Sequence, residues 1–143
     1  PCLPARISNI INFSRIAGIQ FAGVRSAANT NYPRLVYPRV LEDHGAFLRV
    51  GIARTDIDGM VARLNDRLET NLWLDPQRLA REVSASEAAE LMEKRLADAC
   101  RLFGDRVRYA GPDCGLGSWP SQRMAKDCLA RCARAIASFA SRG

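Results

Sequence analysis

The chain has 143 residues, of which 48% are hydrophobic and 25% charged, an ordinary globular composition for one domain or a piece of a larger one. Its net charge of +6, 21 Lys and Arg against 15 Asp and Glu, invites a nucleic-acid reading, but the arginines are scattered through helical stretches (Arg63, Arg67, Arg78, Arg81, Arg95, Arg101, Arg123, Arg131, Arg134) without a basic run, and aromatics are only 7%. We therefore expect solvated arginine-rich helix faces, no nucleic-acid partner and no membrane partner. No stretch approaches the roughly 18 consecutive apolar residues of a membrane span, and no secretory signal is visible. Five cysteines, at 2, 100, 114, 128 and 132, are too few and too dispersed for a disulfide scaffold, so a reduced, cytoplasmic chain is expected.

Short apolar runs alternate with longer amphipathic ones. Gly18-Ile19-Gln20-Phe21-Ala22-Gly23 reads as a first buried strand, Phe47 to Ala53 as a second and Val107 to Gly111 as a third. Residues 25 to 43 form the longest irregular stretch. Residues 58 to 69 read as a helix with Met60, Val61, Leu64 and Leu68 inward. Asp75-Pro76 reads as an N-cap followed by proline at N1, opening a short helix to about Val83. Ser84-Ala85-Ser86-Glu87 has the spacing of a capping box; Leu91, Leu96, Cys100 and Phe103 then keep near one face, and Gly104 is placed to end that helix. The last helix is expected from about Pro120 to Ala140, with Met124, Cys128, Leu129, Cys132, Ile136 and Phe139 as its apolar stripe. Strand, loop and helix repeated in this way argue for an α/β fold with parallel pairing. Three strands are too few for a closed barrel of about 250 residues, so a missing N-terminal part is expected.

Pro112-Asp113-Cys114-Gly115-Leu116-Gly117-Ser118 follows the third strand and precedes the last helix. In a parallel α/β protein such a loop lies at the carboxyl ends of the strands, where active sites gather. A cysteine near helix amides is favoured as thiolate, the form that ligates zinc or attacks an electrophile. The flanking glycines let a ligand approach the backbone. The competing reading is a strand-to-helix turn with Cys114 merely buried.

Gly111-Pro112-Asp113-Cys114-Gly115-Leu116, followed by Trp119-Pro120 and a long closing helix, resembles the C-terminal end of the cobalamin-independent methionine synthase family, over roughly residues 84 to 140 and more weakly over 16 to 60. The resemblance implies the last three or so βα units of a TIM (β/α)8 barrel, in one partial catalytic domain spanning 1–143. It implies methyl transfer from a folate-type donor to a zinc-bound thiol, as in 5-methyltetrahydropteroyl-glutamate–homocysteine S-methyltransferases of methionine biosynthesis, or a related alkyl transfer to a small thiol cofactor. It makes Cys114 a zinc ligand; Asp113 beside it reads, from its place in the loop, as orienting the loop or contacting a substrate amine. It also implies a His-x-Cys pair on an earlier strand, for which Cys2 is placed as the cysteine. Two positions depart from the family. Its glutamate ligand at the end of the sixth strand is replaced by Ala22 or Gly23, and its histidine after the seventh strand by Arg54-Thr55-Asp56. A degenerate, non-catalytic member is thus a third reading, and an isolated fragment would be inactive and prone to self-association.

Three further candidates are weaker. His44, the only histidine, lies beside Glu42 and Asp43 and reads as a surface residue before it reads as a ligand. Cys128 and Cys132 share a helix face and read as core, although their spacing also suits a metal clamp. Trp119 sets the start of the last helix or lines a pocket.

Overall fold

The computed structural model describes Ile10–Asn12, Glu42, Asp43, Gly45 and residues 47–142. Cys2, Ala22, Gly23, His44, the expected strand at 18–23 and all but Glu42 and Asp43 of the irregular stretch lie outside the described residues.

Three parallel strands form one sheet in the order β1 (Ile10–Asn12), β2 (Phe47–Ala53), β3 (Val107–Pro112). Residue 10 pairs with Phe47, and further along β2 Gly51 faces Gly111 and Ala53 faces Pro112. Between β2 and β3 the chain runs through α1 (Ile57–Leu68), a 3-10 turn (Leu72–Leu74), α2 (Pro76–Ser86), α3 (Ala89–Phe103) and a second 3-10 turn (Gly104–Arg106); α4 (Gln122–Ala140) follows β3. The expected portion of a TIM (β/α)8 barrel is corrected by this topology. Among the described residues β1 and β3 are the two edges of an open sheet, and nothing closes one onto the other.

The core explains why β2 is central. Leu48, Val50 and Ile52 are at most 1% exposed on one face and Ala53 is fully buried on the other, as a strand covered on both sides requires. Helices α3 and α4 pack on each other and on the sheet, burying Met92, Leu96, Ala99 and Phe103 from the first and Met124, Cys128, Cys132 and Ala135 from the second. Helix α1 contributes Ile57, Met60, Val61 and Leu64.

Most helix ends follow from local chemistry. The Asp75 carboxylate accepts from the amides of Gln77 and Arg78 ahead of Pro76. Gly104 ends α3 at φ 54°, a value favouring glycine. Ser121 caps α4 by accepting from the Met124 amide at 3.2 Å.

Four local expectations are overturned. The capping box at Ser84–Glu87 does not form: Ser84 lies inside α2, which runs on past Val83 to Ser86, and α3 starts after Ala88 with no side-chain cap. Ser84 Oγ instead accepts from Arg131, and the Glu87 carboxylate is committed to Arg95. Arg95 and Arg131, expected on solvated faces, are 6% and 8% exposed. Leu129, expected on the buried stripe of α4, is 48% exposed, and Arg131 occupies the inward position.

Candidate functional site

The carboxyl ends of β2 and β3 lie side by side, and the segments leaving them, Arg54-Thr55-Asp56 and Asp113 to Trp119, form one surface. Strand pairing continues past Pro112, because the Asp113 amide donates to the Ala53 carbonyl at 2.9 Å. Thr55 Oγ1 then donates to Asp113 Oδ1 at 2.6 Å, with Thr55 6% exposed. A short bond from a buried hydroxyl to a carboxylate is of the stronger, charge-assisted kind and fixes the side chain. Arg49 reaches along β3 to donate to the Pro112 carbonyl at 3.0 Å. At the far end of the loop Trp119 is buried, its Nε1 donates to the Thr55 carbonyl at 3.1 Å, and its amide closes a turn onto Leu116.

This anchoring leaves Cys114 exposed, flanked by Gly115, and nothing lies within 4 Å of where a Cβ on Gly115 or Gly117 would stand. The reading of Cys114 as a buried turn residue is therefore set aside by its exposure. The loop presents an open thiol beside a carboxylate whose orientation is fixed.

Gly51 is part of the same construction. A Cβ there would meet the Asp113 Cα and Cβ at 2.7 Å. We expect Gly51→Ala to cost roughly 1–3 kcal/mol, as overpacking does, and to displace the Asp113–Cys114 segment. Urea unfolding and the labelling rate of Cys114 by a thiol reagent would both change; an unchanged labelling rate would mean that the strand contact does not position the loop.

Beneath this surface lies a buried ionic cluster that inspection of the sequence missed. The Glu87 carboxylate pairs with Arg95 through two bonds, Nη1–Oε2 at 2.5 Å and Nη2–Oε1 at 3.1 Å, and also accepts from the Arg54 amide at 3.0 Å. Arg95 Nη1 donates to the Ile52 carbonyl as well. Arg131 Nε donates to the Glu87 carbonyl at 3.0 Å. Glu87 thus links the end of β2, the α2–α3 junction, α3 and α4 just below Thr55. A signal for it was present: Arg95 is three residues after Met92 and Arg131 three after Cys128, so each continues an apolar stripe.

Catalytic zinc takes three protein donors, and among the described residues no three His, Cys, Asp or Glu side chains group closely enough to hold a metal ion. Cys114 is a single donor there, and Asp113 is engaged by Thr55. The described residues do not by themselves fit a zinc site. The Arg54-Thr55-Asp56 segment supplies a structural hydroxyl and a helix cap, since Thr55 donates to Asp113 and Asp56 accepts from the Gly59 amide. Among the described residues no helix is long and apolar enough to cross a membrane. In comparisons with known proteins, no family model, no curated protein and no solved structure matches the chain.

Proposed function

We propose that the Asp113–Trp119 loop serves alkyl transfer to a small thiol, the chemistry implied by the likeness of Gly111–Leu116 to cobalamin-independent methionine synthases. One observation carries the reading: Cys114 is exposed at the carboxyl end of a parallel strand, on a loop anchored at both ends by Thr55. In an open parallel sheet that is where ligands bind. In this reading Cys114 would be one donor to a zinc whose other donors lie outside the described residues, and not the nucleophile, while Asp113, held by Thr55, orients the loop. The proposal rests on this loop and needs no barrel. A cytoplasmic setting suits it, because a reducing compartment keeps Cys100, Cys114, Cys128 and Cys132 as the free thiols they are.

A second reading, a non-catalytic relative that has kept the loop and lost the metal, is favoured by the lone donor among the described residues. Elemental analysis after zinc-replete purification separates the two. We expect about one zinc per chain, the stoichiometry of a mononuclear site, and its loss in Cys114→Ser. A zinc-free parent chain, or a variant that keeps its zinc, would overturn Cys114 as the donor and favour the non-catalytic reading.

A further inference from the structure

Two cysteines and a methionine lie in the core where α3 packs on α4. Cys128 and Cys132 lie one turn apart on α4 and are 0% and 3% exposed. The Cys132 thiol also donates to Met92 Sδ on α3 at 3.8 Å. Packing alone accounts for small apolar side chains at these places, but it does not ask for sulfur at all three.

A disulfide is poorly served by this geometry. Residues four apart on a helix hold their Cβ atoms about 5–6 Å apart, whereas a disulfide needs about 3.5–4.5 Å. Two metal–thiolate bonds of about 2.3 Å each, the length in zinc thiolates, reach further than one sulfur–sulfur bond of about 2.0 Å. Thiolate and thioether donors without oxygen or nitrogen select soft ions, Cu(I) above all.

The surroundings supply the charge such a site needs. A monovalent ion held by two thiolates carries a net negative charge, which is costly to bury without a cation. Arg131, between the two cysteines in sequence, is 8% exposed; its Nη2 has no hydrogen-bond partner among the described residues, and its charge favours both thiolates. Glu87 opposes ionisation of both thiols and Asp113 that of Cys128; Glu87, however, is already paired with Arg95.

We propose that Cys128, Cys132 and Met92 form a binding site for a soft monovalent ion of the Cu(I) class, with Arg131 as its buried counter-charge. Binding displaces one proton from each cysteine thiol to solvent, forms two copper–thiolate bonds and leaves the oxidation state of copper unchanged. Met92 Sδ adds a longer third contact.

The test is anaerobic titration with Cu(I) against a chromophoric Cu(I) chelator, in a Cys114→Ser background that removes the exposed thiol. That chain should withdraw about one Cu(I) with a shell of sulfur donors only, as soft-ligand selection requires, seen by X-ray absorption. Adding C128S and C132S should abolish the withdrawal. Met92→Leu, which conserves volume and keeps the fold, should retain binding but lose the longer sulfur contact and weaken competition against the chelator. Undiminished withdrawal in the triple variant, no withdrawal by the Cys114→Ser chain, nitrogen or oxygen in its copper shell, or a Met92→Leu variant identical to its parent would overturn the proposal. The last three are readable even if the triple variant folds poorly, since the Cys114→Ser chain, the absorption spectrum and Met92→Leu do not depend on it.

Discussion

Glu87→Ala is expected to destabilise the chain by roughly 3–5 kcal/mol, the cost of leaving a buried charge without its partner. Glu87 is 2% exposed and Arg95 6%, so solvent does not step in when the carboxylate is removed. The Arg54 amide loses its acceptor in the same stroke, and Arg95 keeps only the Ile52 carbonyl. Since a mesophilic domain is stable by about 5–15 kcal/mol in total, this single change takes much of the margin. A urea titration followed by circular dichroism gives the loss directly. Adding Arg95→Met should recover part of it, because the double variant buries no orphan charge; well-packed apolar replacements of ion pairs are often close to neutral. The double-mutant cycle should therefore show strong coupling between the two positions. A loss under about 1 kcal/mol, the range of exposed pairs, would mean that the cluster is hydrated in solution.

Trp119→Ala should cost about 3–5 kcal/mol, as truncation of a buried tryptophan does. The ring is 7% exposed and belongs to the main core, while its Nε1 bond to the Thr55 carbonyl ties the end of the loop to the segment after β2. Trp119→Phe keeps most of the apolar body and removes that bond, so a loss nearer 1 kcal/mol is expected, the net worth of one hydrogen bond. The pair of variants separates packing from anchoring. Hydrogen exchange at residues 113–119 should quicken in both, and more in the alanine variant. If Trp119→Phe leaves exchange unchanged, the indole bond contributes nothing to holding the loop and Thr55–Asp113 alone positions Cys114.

Both predictions concern groups whose importance depends on a partner distant in sequence. Glu87 shows why this is hard to read from a chain. Its neighbours Ser84, Ala85 and Ser86 have the spacing of a capping box, and local chemistry alone would satisfy helix amides with them. A carboxylate paired with Arg95 in a low-dielectric interior gains more from that guanidinium than from capping one amide. The helix boundary consequently shifts to Ala88, which offers no side chain to cap it. Arg95 and Arg131 follow the same logic, since long guanidinium stems complete an apolar face once a carboxylate and carbonyls meet their charged ends.

What the amino-acid order determined by itself is what rests on short-range chemistry. The runs 47–53 and 107–111 are apolar enough to be strands; Asp75-Pro76 opens a helix, and Gly104 ends one through a positive φ. The place of Asp113-Cys114 between a strand and the closing helix was legible for the same reason. Tertiary structure alone decided that the three described strands lie in an open sheet with β2 at its centre, since periodicity reports which face is buried and not which strand is its neighbour. It also decided that Cys114 is exposed and Asp113 held by Thr55, and that Cys132 and Met92 are in contact. Each depends on atoms brought together from separate elements, where the gain from desolvation and pairing outweighs local preference and leaves no periodic trace in the chain.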